Sequence, residues 1–198
     1  MLILAIDTSW FKGGIGLFED ETPLFYITFP EERKHAIYLP LYVQKVLNES
    51  EKKLEDISLI SVALGPGSFT GLRVGISLSK GLSYTLNIPI KGVGSLEAIA
   101  TNFKGQRVLP TVRLRKDFYV GAIFEGGVPP YRLSEILSGN LSFFKNKEGA
   151  LLISESEQNY PFLILRGIAR LSKYLFEMNG SDNPLTLSPI YIGGGQPT

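Results

Sequence analysis

A glycine-rich connection between a predicted strand and a predicted helix constrains the fold more than any other feature of this chain. Residues 63–77 have the sequence ALGPGSFTGLRVGIS and overlap the end of an apolar run at residues 57–64. Backbone amides and the positive end of the helix dipole converge on such a loop, which can bind an anion. The pattern is neither a Walker A motif nor G-x-G-x-x-G. A plain strand-to-helix connection with Thr70 as the N-cap explains it equally well.

The predicted helix after this loop has two unusual features. Arg73 lies in the first turn, where the helix dipole disfavours a cation by about 0.3–1 kcal/mol. We therefore expect Arg73 either to bind an acidic group or a phosphate, or to extend into solvent. Small residues recur every fourth position, at Gly71, Gly75, Ser79 and Ser83. Glycines inside a helix cost about 1 kcal/mol each relative to alanine, which close packing would offset. The stripe predicts either internal packing or a docking surface.

Composition and charge are those of an ordinary globular protein. Of the 198 residues, 44% are hydrophobic and 20% are charged, which is enough to bury a core. The formal net charge is +1 without a basic block, which argues against strong independent binding to nucleic acid. The chain has no cysteine, which excludes disulfides, thiolate nucleophiles and cysteine metal sites. The first apolar run stops at Asp7 and is too short for a signal peptide, so a soluble, cytoplasmic protein is expected.

Hydrophobic patterning predicts two α/β halves that meet near residue 104. The first half is predicted to contain strands at 2–6, 14–18, 23–29, 57–64 and 89–93, and helices at 33–50, 70–86 and 95–103. Ser95 is the expected N-cap of the last of these helices. The second half is predicted to contain a hairpin at 107–114 and 118–125, a helix near 134–144, a strand near 150–153 and a helix over 161–180. We therefore predict an α/β protein with mixed sheets, in two domains at 1–103 and 104–198.

Three further candidate sites depend on few residues. His35 is the only histidine, and the position one helical turn later is leucine, so zinc binding and zinc peptidase chemistry are not expected. Residues 7–9 (Asp-Thr-Ser) end the first strand at a turn, which in an actin-like ATPase would hold phosphate and Mg²⁺, although aspartates commonly cap turns. The segment YIGGG at 191–195, an apolar run followed by glycines, resembles an adenosine-binding turn, but only three residues follow, so a flexible tail is expected.

Three segments together resemble the TsaB family, also called YeaZ. They are ILAIDTS at 3–9, HAIYLPLYVQKVL at 35–47, and the segment at 65–100 that begins GPGSFTGLRVG, the most specific string of the three. The resemblance covers residues 1–101 and then thins to VL at 108–109, a loose match around residues 115–119, and PIY at 189–191. The family usually opens its second domain with Asp-Ala-Arg, where this chain has Arg113-Leu114-Arg115. The role of that aspartate is therefore in doubt here.

The resemblance implies an actin-like, Hsp70-like (ASKHA) fold of two small α/β domains with mixed sheets. It implies a non-catalytic subunit that supports TsaD in transferring threonylcarbamoyl to the adenosine beside the tRNA anticodon. A TsaE-like ATPase joins the larger complex, and tRNA is contacted only indirectly. Family members dock on TsaD through two helices of the first domain and form homodimers through the same surface. No cofactor or metal is implied, although a nucleotide at the partner interface remains compatible with this resemblance.

These inferences assign residues to two sites and leave two other functions open. The predicted partner interface consists of His35, Leu39, Tyr42, Val43, Val46, Gly71, Gly75, Ser79 and Ser83. A vestigial nucleotide or anion niche is predicted from Asp7, Thr8, Ser9, Gly65, Gly67, Ser68 and Arg73. No residue is predicted to be catalytic. The alternatives are a stand-alone actin-like, Hsp70-like or sugar-kinase-like ATPase, which would use Asp7 and the two glycine-rich segments, and a metallopeptidase.

Overall fold

The computed structural model describes residues 1–29, 35–147 and 149–192. The strands are β1 (Leu2–Asp7), β2 (Gly14–Glu19), β3 (Thr22–Thr28), β4 (Leu59–Gly65), β5 (Ile90–Gly94), β6 (Arg107–Arg115), β7 (Phe118–Gly121), β8 (Phe124–Glu125), β9 (Tyr131–Arg132), β10 (Leu137–Gly139) and β11 (Leu151–Ile153). The α-helices are α1 (His35–Glu49), α2 (Phe69–Leu86), α3 (Ser95–Ala100), α4 (Leu141–Lys145) and α5 (Tyr160–Asn179). No helix within these ranges is long and apolar enough to cross a membrane.

The first sheet is mixed, with the strand order β3-β2-β1-β4-β5. The β1–β2 and β2–β3 pairs are antiparallel, whereas β1–β4 and β4–β5 are parallel. Parallel neighbours end at the same edge of a sheet, so the turn after Asp7 and the loop after Gly65 lie side by side. This topology confirms the prediction of a mixed α/β sheet.

Helices cover both faces of the first sheet because side chains alternate along its buried strands. In β1, Leu4 and Ile6 pack in the same apolar cluster as residues of α1 and α2. Ile3 and Ala5 point to the opposite face, where they join a cluster with α3 and α5. Each strand of this kind is therefore buried on two sides, which explains its continuous apolar sequence.

The second sheet has the order β10-β7-β6-β8-β9, and β11 pairs with β6 in parallel. The predicted hairpin is present as β6 and β7, and Asp117 in its turn has a φ of 54°. Helix α5 returns from the second half to pack on the first sheet, so Ala98, Val112 and Ile168 share one core cluster. A division into domains at residue 103 stays a prediction, because this core is continuous across it.

Two helix predictions need correction. The segment predicted as a helix near 134–144 contains β10 and the short α4, because the Asn140 side chain caps α4 by accepting a hydrogen bond from the Phe143 amide at 2.9 Å. The helix predicted at 95–103 ends at Ala100. Its N-cap is Gly94 rather than Ser95, whose hydroxyl is buried without a hydrogen-bond partner in the described part of the chain.

The chain after α5 runs along the edge of the first sheet. Residues 180–192, here called the C-terminal strap, contain no helix or strand beyond one isolated bridge to β5. The carboxylate of Asp182 pairs with Lys91 Nζ of β5 at 2.8 Å. The Ile190 amide donates to the Leu64 carbonyl of β4 at 2.7 Å. The strap therefore pairs with the edge strand β5 at Asp182 and reaches the end of the inner strand β4 at Ile190, where the β4–β5 register shifts.

Candidate functional site

The glycine-rich loop is held directly against the turn that follows β1. The Ser68 amide donates a hydrogen bond to the Ser9 carbonyl at 2.6 Å. The Ser68 hydroxyl accepts one from the Gly71 amide at 3.3 Å, so Ser68 caps α2. This corrects the assignment of Thr70 as the N-cap, because Thr70 already lies inside the helix. Ser68 of the loop is thus brought against the predicted niche residues of the turn after β1.

Asp7 is fully buried in this niche and has an unusual electrostatic environment. Its Oδ1 accepts a hydrogen bond from the Ser9 amide at 2.9 Å. Its Oδ2 and the buried hydroxyls of Thr8 and Ser9 have no hydrogen-bond partner among the described residues. Burial raises the pKa of the Asp7 carboxyl to about 6, because removal from water disfavours the charged form. The niche is therefore polar, enclosed and only partly satisfied by the protein itself.

The small-residue stripe of α2 packs against this turn. A Cβ atom added at Gly75 would overlap Thr8 Oγ1, and one added at Gly67 would overlap the backbone of Ser9. Ser79 and Ser83 are buried, and their hydroxyls donate to the carbonyls of Gly75 at 2.8 Å and of Ile88 at 2.7 Å. The close approach that the glycines permit is therefore to this chain's own turn after β1.

This packing corrects the predicted partner interface. The four stripe residues are buried inside the chain, and so are Leu39, Val43 and Val46 of α1, which pack against the first sheet. Tyr42 is half-buried, and its ring stacks on Phe29 and Tyr38 at centroid distances of 5.6 and 5.7 Å. The side chain of His35 lies outside the described part of the chain. The predicted helices are present, but the face that they expose is a different one.

Helices α1 and α2 enclose an apolar groove that opens to solvent. Its first part has a volume of about 560 Å³, and its lining includes Ala36, Pro40, Phe69, Arg73, Val74 and Leu78. A second part of about 430 Å³ shares Pro40 and Leu78 and extends to Leu47 and Leu82. The same helices expose Ile37, Leu41 and Tyr84, whose exposed fractions are 62%, 58% and 73%. Apolar surface of this kind is typical of a protein-docking face.

Arg73 has an aromatic partner rather than an acidic one. Its guanidinium carbon lies 3.9 Å from the centre of the Phe69 ring, and its Nε donates to the Tyr191 hydroxyl at 3.1 Å. The Phe69 and Tyr191 rings are 4.9 Å apart. Arg73 is exposed whereas Asp7 is buried, so the structure does not bring it into the niche. The prediction of a free tail is also wrong at Tyr191, while residues 193–195 lie outside the described chain.

Arg113, which stands in place of the family's aspartate, joins the two halves. Its guanidinium lies 4.1 Å from the centre of the Phe11 ring and 3.2 Å from Glu155 Oε1. The Tyr119 hydroxyl also donates to Glu155 Oε1, at 3.1 Å. A cleft of about 710 Å³ lies between Phe11, the first turn of α2 and the β6–β7 hairpin. Its lining includes Arg113, Arg115 and Lys116, and this positive charge would favour an anion.

No group of three or more His, Asp or Glu side chains that could hold a metal ion occurs in residues 1–29, 35–147 and 149–192.

Comparisons with known proteins identify relatives of this chain. The family model described as "TsaD: tRNA N6-adenosine threonylcarbamoyltransferase" matches residues 29–117. The "tRNA threonylcarbamoyladenosine biosynthesis protein TsaB" of Bacillus subtilis is 44% identical over 103 residues, which is 52% of this chain and 44% of that protein. The protein of the same name from Escherichia coli is 39% identical over 50% of this chain and 43% of its own length. The chain thus spans less than half the length of these two relatives.

The fold is also similar to a solved structure. "YeaZ from Pseudomonas aeruginosa" superposes with a TM-score of 0.79 at 19% identity and covers 96% of this chain and 99% of that one. Two mixed sheets, with helices on both faces of the first, make this an α/β protein of the actin-like class. Within that class, the chain is similar to TsaB proteins over about half of its length.

Sequence reasoning missed the exposed apolar side chains of α1 and α2. Ile37 and Leu41 are one helical turn apart and lie off the buried ridge of α1, which was a usable signal for a second apolar face. Tyr84 lies near the end of α2, outside the small-residue stripe. The partnership of Arg73 with Tyr191 joins positions 118 residues apart, and no local pattern could predict it.

Proposed function

We propose that this chain is a non-catalytic subunit that supports a TsaD-type transferase in threonylcarbamoyl transfer to the adenosine beside the tRNA anticodon. The observation that carries the proposal is the identity of 44% and 39% to two proteins named for threonylcarbamoyladenosine biosynthesis. The exposed apolar face of α1 and α2 supports a docking role rather than a catalytic one.

The chemistry of this face indicates the kind of partner that it would bind. The groove lining is mainly apolar, and Ile37, Leu41 and Tyr84 supply large exposed side chains on the two helices. An apolar helix face laid along such a groove would bury these side chains and the groove floor together. A TsaD-like paralogue with a comparable helix pair would meet this requirement in a heterodimer. A second copy of this chain would meet it in a homodimer when the paralogue is absent.

The proposed complex also includes an ATPase and tRNA, and it leaves room for a nucleotide. A TsaE-like ATPase joins the larger complex, and this chain contacts tRNA only indirectly. A nucleotide at the partner interface would find positive charge in the cleft lined by Arg113, Arg115 and Lys116. No nucleotide is required for the docking step that we propose.

The proposal is tested by mixing the chain with a TsaD-type protein and measuring the affinity by calorimetry. Leu41→Asp should weaken binding at least about tenfold, because docking would bury a carboxylate without a partner. Its melting temperature should stay close to that of the wild type, because Leu41 is 58% exposed in the single chain. Met178→Asp is the matched control, since Met178 is 64% exposed near the end of α5 on the opposite face of the sheet.

Two outcomes would contradict this proposal. A wild-type chain that forms no complex with TsaD-type proteins would remove the partner role. Equal losses for Leu41→Asp and Met178→Asp would show that the α1–α2 face is not the docking surface. Sedimentation of the chain alone, with the same two variants, tests the homodimer in the same way.

A stand-alone ATPase is the second candidate, and the Asp7 niche is the observation that favours it. Asp7 Oδ2 and the Thr8 and Ser9 hydroxyls are buried without hydrogen-bond partners in the described residues. They would offer hydrogen-bond donors and acceptors to a polar ligand. Gly67 and Gly75, however, pack directly on this turn and leave little room beside it. Calorimetry of the isolated chain with millimolar Mg-ATP decides between the two, because an absence of binding eliminates the ATPase.

A further inference from the structure

The glycine-rich segment makes contacts that the proposed function does not explain. Gly65, Phe69 and Arg73 all contact the C-terminal strap rather than the Asp7 niche. A Cβ atom added at Gly65 would lie 2.8 Å from the Ile190 carbonyl oxygen, so glycine is needed there for the strap to pass. The same short segment therefore packs against two distant parts of the chain, the turn after β1 and the strap.

The beginning of the strap is fixed by an ion pair between a buried lysine and a partly exposed aspartate. The side chain of Lys91 is only 8% exposed, and its Nζ contacts Asp182 Oδ1 at 2.8 Å and the Gly180 carbonyl at 3.0 Å. Asp182 Oδ2 also accepts a hydrogen bond from the Gly92 amide at 2.8 Å. Releasing this end would leave a buried ammonium group without its carboxylate, which is costly.

The remainder of the strap is held by α2. Lys80 Nζ donates to the carbonyls of Leu185 and Leu187, both at 3.2 Å. About two turns earlier on the helix, Arg73 donates to Tyr191 and lies on the Phe69 ring, which itself packs against the Tyr191 ring. The strap is therefore attached to α2 at two places along its exposed side.

We propose that the C-terminal strap positions the first turns of α2 and thereby sets the shape of the α1–α2 groove. Arg73 is the positioning residue, because its guanidinium both lines the groove and holds Tyr191. Phe69, in the first turn of α2, likewise lines the groove and packs on Tyr191. The inference rests on the proposed function in that the groove is taken to be the partner face, but the strap contacts themselves do not depend on it.

Amide hydrogen exchange of the full chain tests this proposal. Exchange in the strap is measured in a variant of α2, and exchange in α2 is measured in a variant of the strap. Arg73→Ala should speed exchange of the Ile190 amide, which donates to Leu64, by roughly fivefold to tenfold, because a partly exposed cation–π contact and its hydrogen bond are lost. Tyr191→Ala should speed exchange of the Leu72 amide, which donates to the Ser68 carbonyl, by a similar factor of about five. Tyr191→Phe keeps the ring and should show a smaller effect than Tyr191→Ala.

Thr85→Ala is the matched control, since Thr85 is an exposed residue of α2 that is not among the groove-lining residues and has no contact with the strap among the interactions described. Both exchange rates should be unchanged in it. Affinity for the TsaD-type protein should fall about fivefold to tenfold in Arg73→Ala and Tyr191→Ala but not in Thr85→Ala, as expected for a partner face that the strap contacts hold in place.

Each result decides a separate point. Unchanged exchange of Ile190 in Arg73→Ala and of Leu72 in Tyr191→Ala overturns the strap proposal, whatever the partner does. Faster exchange with unaltered affinity overturns the link between the strap and the groove. If the wild-type chain binds no TsaD-type protein, the proposed function fails, while the reciprocal exchange rates still confirm or overturn the positioning of α2.

Discussion

At the scale of single residues, Asp7 is a carboxyl group that folding removes from water while one of its oxygens stays unpaired. Its Oδ1 accepts the Ser9 amide, but Oδ2 has no hydrogen-bond partner in the described ranges. Burial is the main reason that its pKa rises to about 6. The folded protein therefore binds this proton more tightly than the unfolded chain, where an aspartate titrates near pH 4.

The raised pKa gives a stability prediction with a definite sign. Between about pH 4 and pH 6 the folded state holds more protons at Asp7 than the unfolded state, so its contribution to stability falls as the pH rises and is level above about pH 6. Asp7→Asn should remove this dependence and raise the free energy of unfolding at pH 7 by about 1–3 kcal/mol. Urea unfolding from pH 4 to pH 8 measures both effects. A variant with the same slope as the wild type would contradict the assignment.

At the scale of elements, α2 shows how one helix uses glycine for two different purposes. Gly75 is buried against Thr8 Oγ1, so the helix can lie close to the turn after β1. Gly81 is exposed, and a Cβ atom added there would meet no atom within 4 Å. Only the first of these glycines is required by packing.

The same substitution at the two positions should therefore have opposite effects. Gly75→Ala should lower the free energy of unfolding by about 2 kcal/mol, because the added methyl group overlaps Thr8. Gly81→Ala should raise it by about 0.5–1 kcal/mol, because alanine favours the helix and nothing is displaced. Thermal or urea unfolding of the two variants side by side provides the measurement. Destabilisation by Gly81→Ala, or tolerance of Gly75→Ala, would contradict this assignment of the two glycines.

The same helix shows where sequence reasoning reaches its limit. Apolar periodicity predicted α2 and α5 well because both helices bury a face in one core, and the alternation of strand and helix predicted the mixed first sheet. The stripe at Gly71 and Gly75 correctly predicted a close approach, but a pattern on one helix cannot show whether the neighbour belongs to the same chain. The short α4 was missed because its start depends on the Asn140 cap, which interrupts a longer apolar pattern.

At the scale of the whole molecule, α5 makes the two halves interdependent. It comes from the second half, yet it covers the face of the first sheet that contains Ile3, Ala5 and Phe18. The only tryptophan, Trp10, packs edge-on against Tyr160 of α5 with ring centres 5.3 Å apart. Sequence patterns predicted a boundary between halves from the restart of strands near residue 104, but they contain no information about the return of α5.

This arrangement predicts that residues 1–103 do not fold cooperatively alone, because one whole face of their sheet would be open to water. The fragment should show Trp10 fluorescence shifted to the red and no sigmoidal urea transition. The full chain, in contrast, should unfold in one transition that is the same by circular dichroism and by Trp10 fluorescence. A fragment that folds cooperatively, or two separate transitions in the full chain, would contradict the prediction and support autonomous domains.

The return of α5 also has a consequence for synthesis on the ribosome. The last strand of the first sheet, β5, is complete at Gly94, whereas the helix that covers one face of that sheet ends at Asn179. At roughly 5–20 residues per second, the nascent chain carries a half-covered apolar sheet for on the order of 5–20 seconds before translation supplies the missing helix. During that interval the emerging protein is a substrate for chaperones that recognise apolar strands, so its yield should depend on translation speed through the second half.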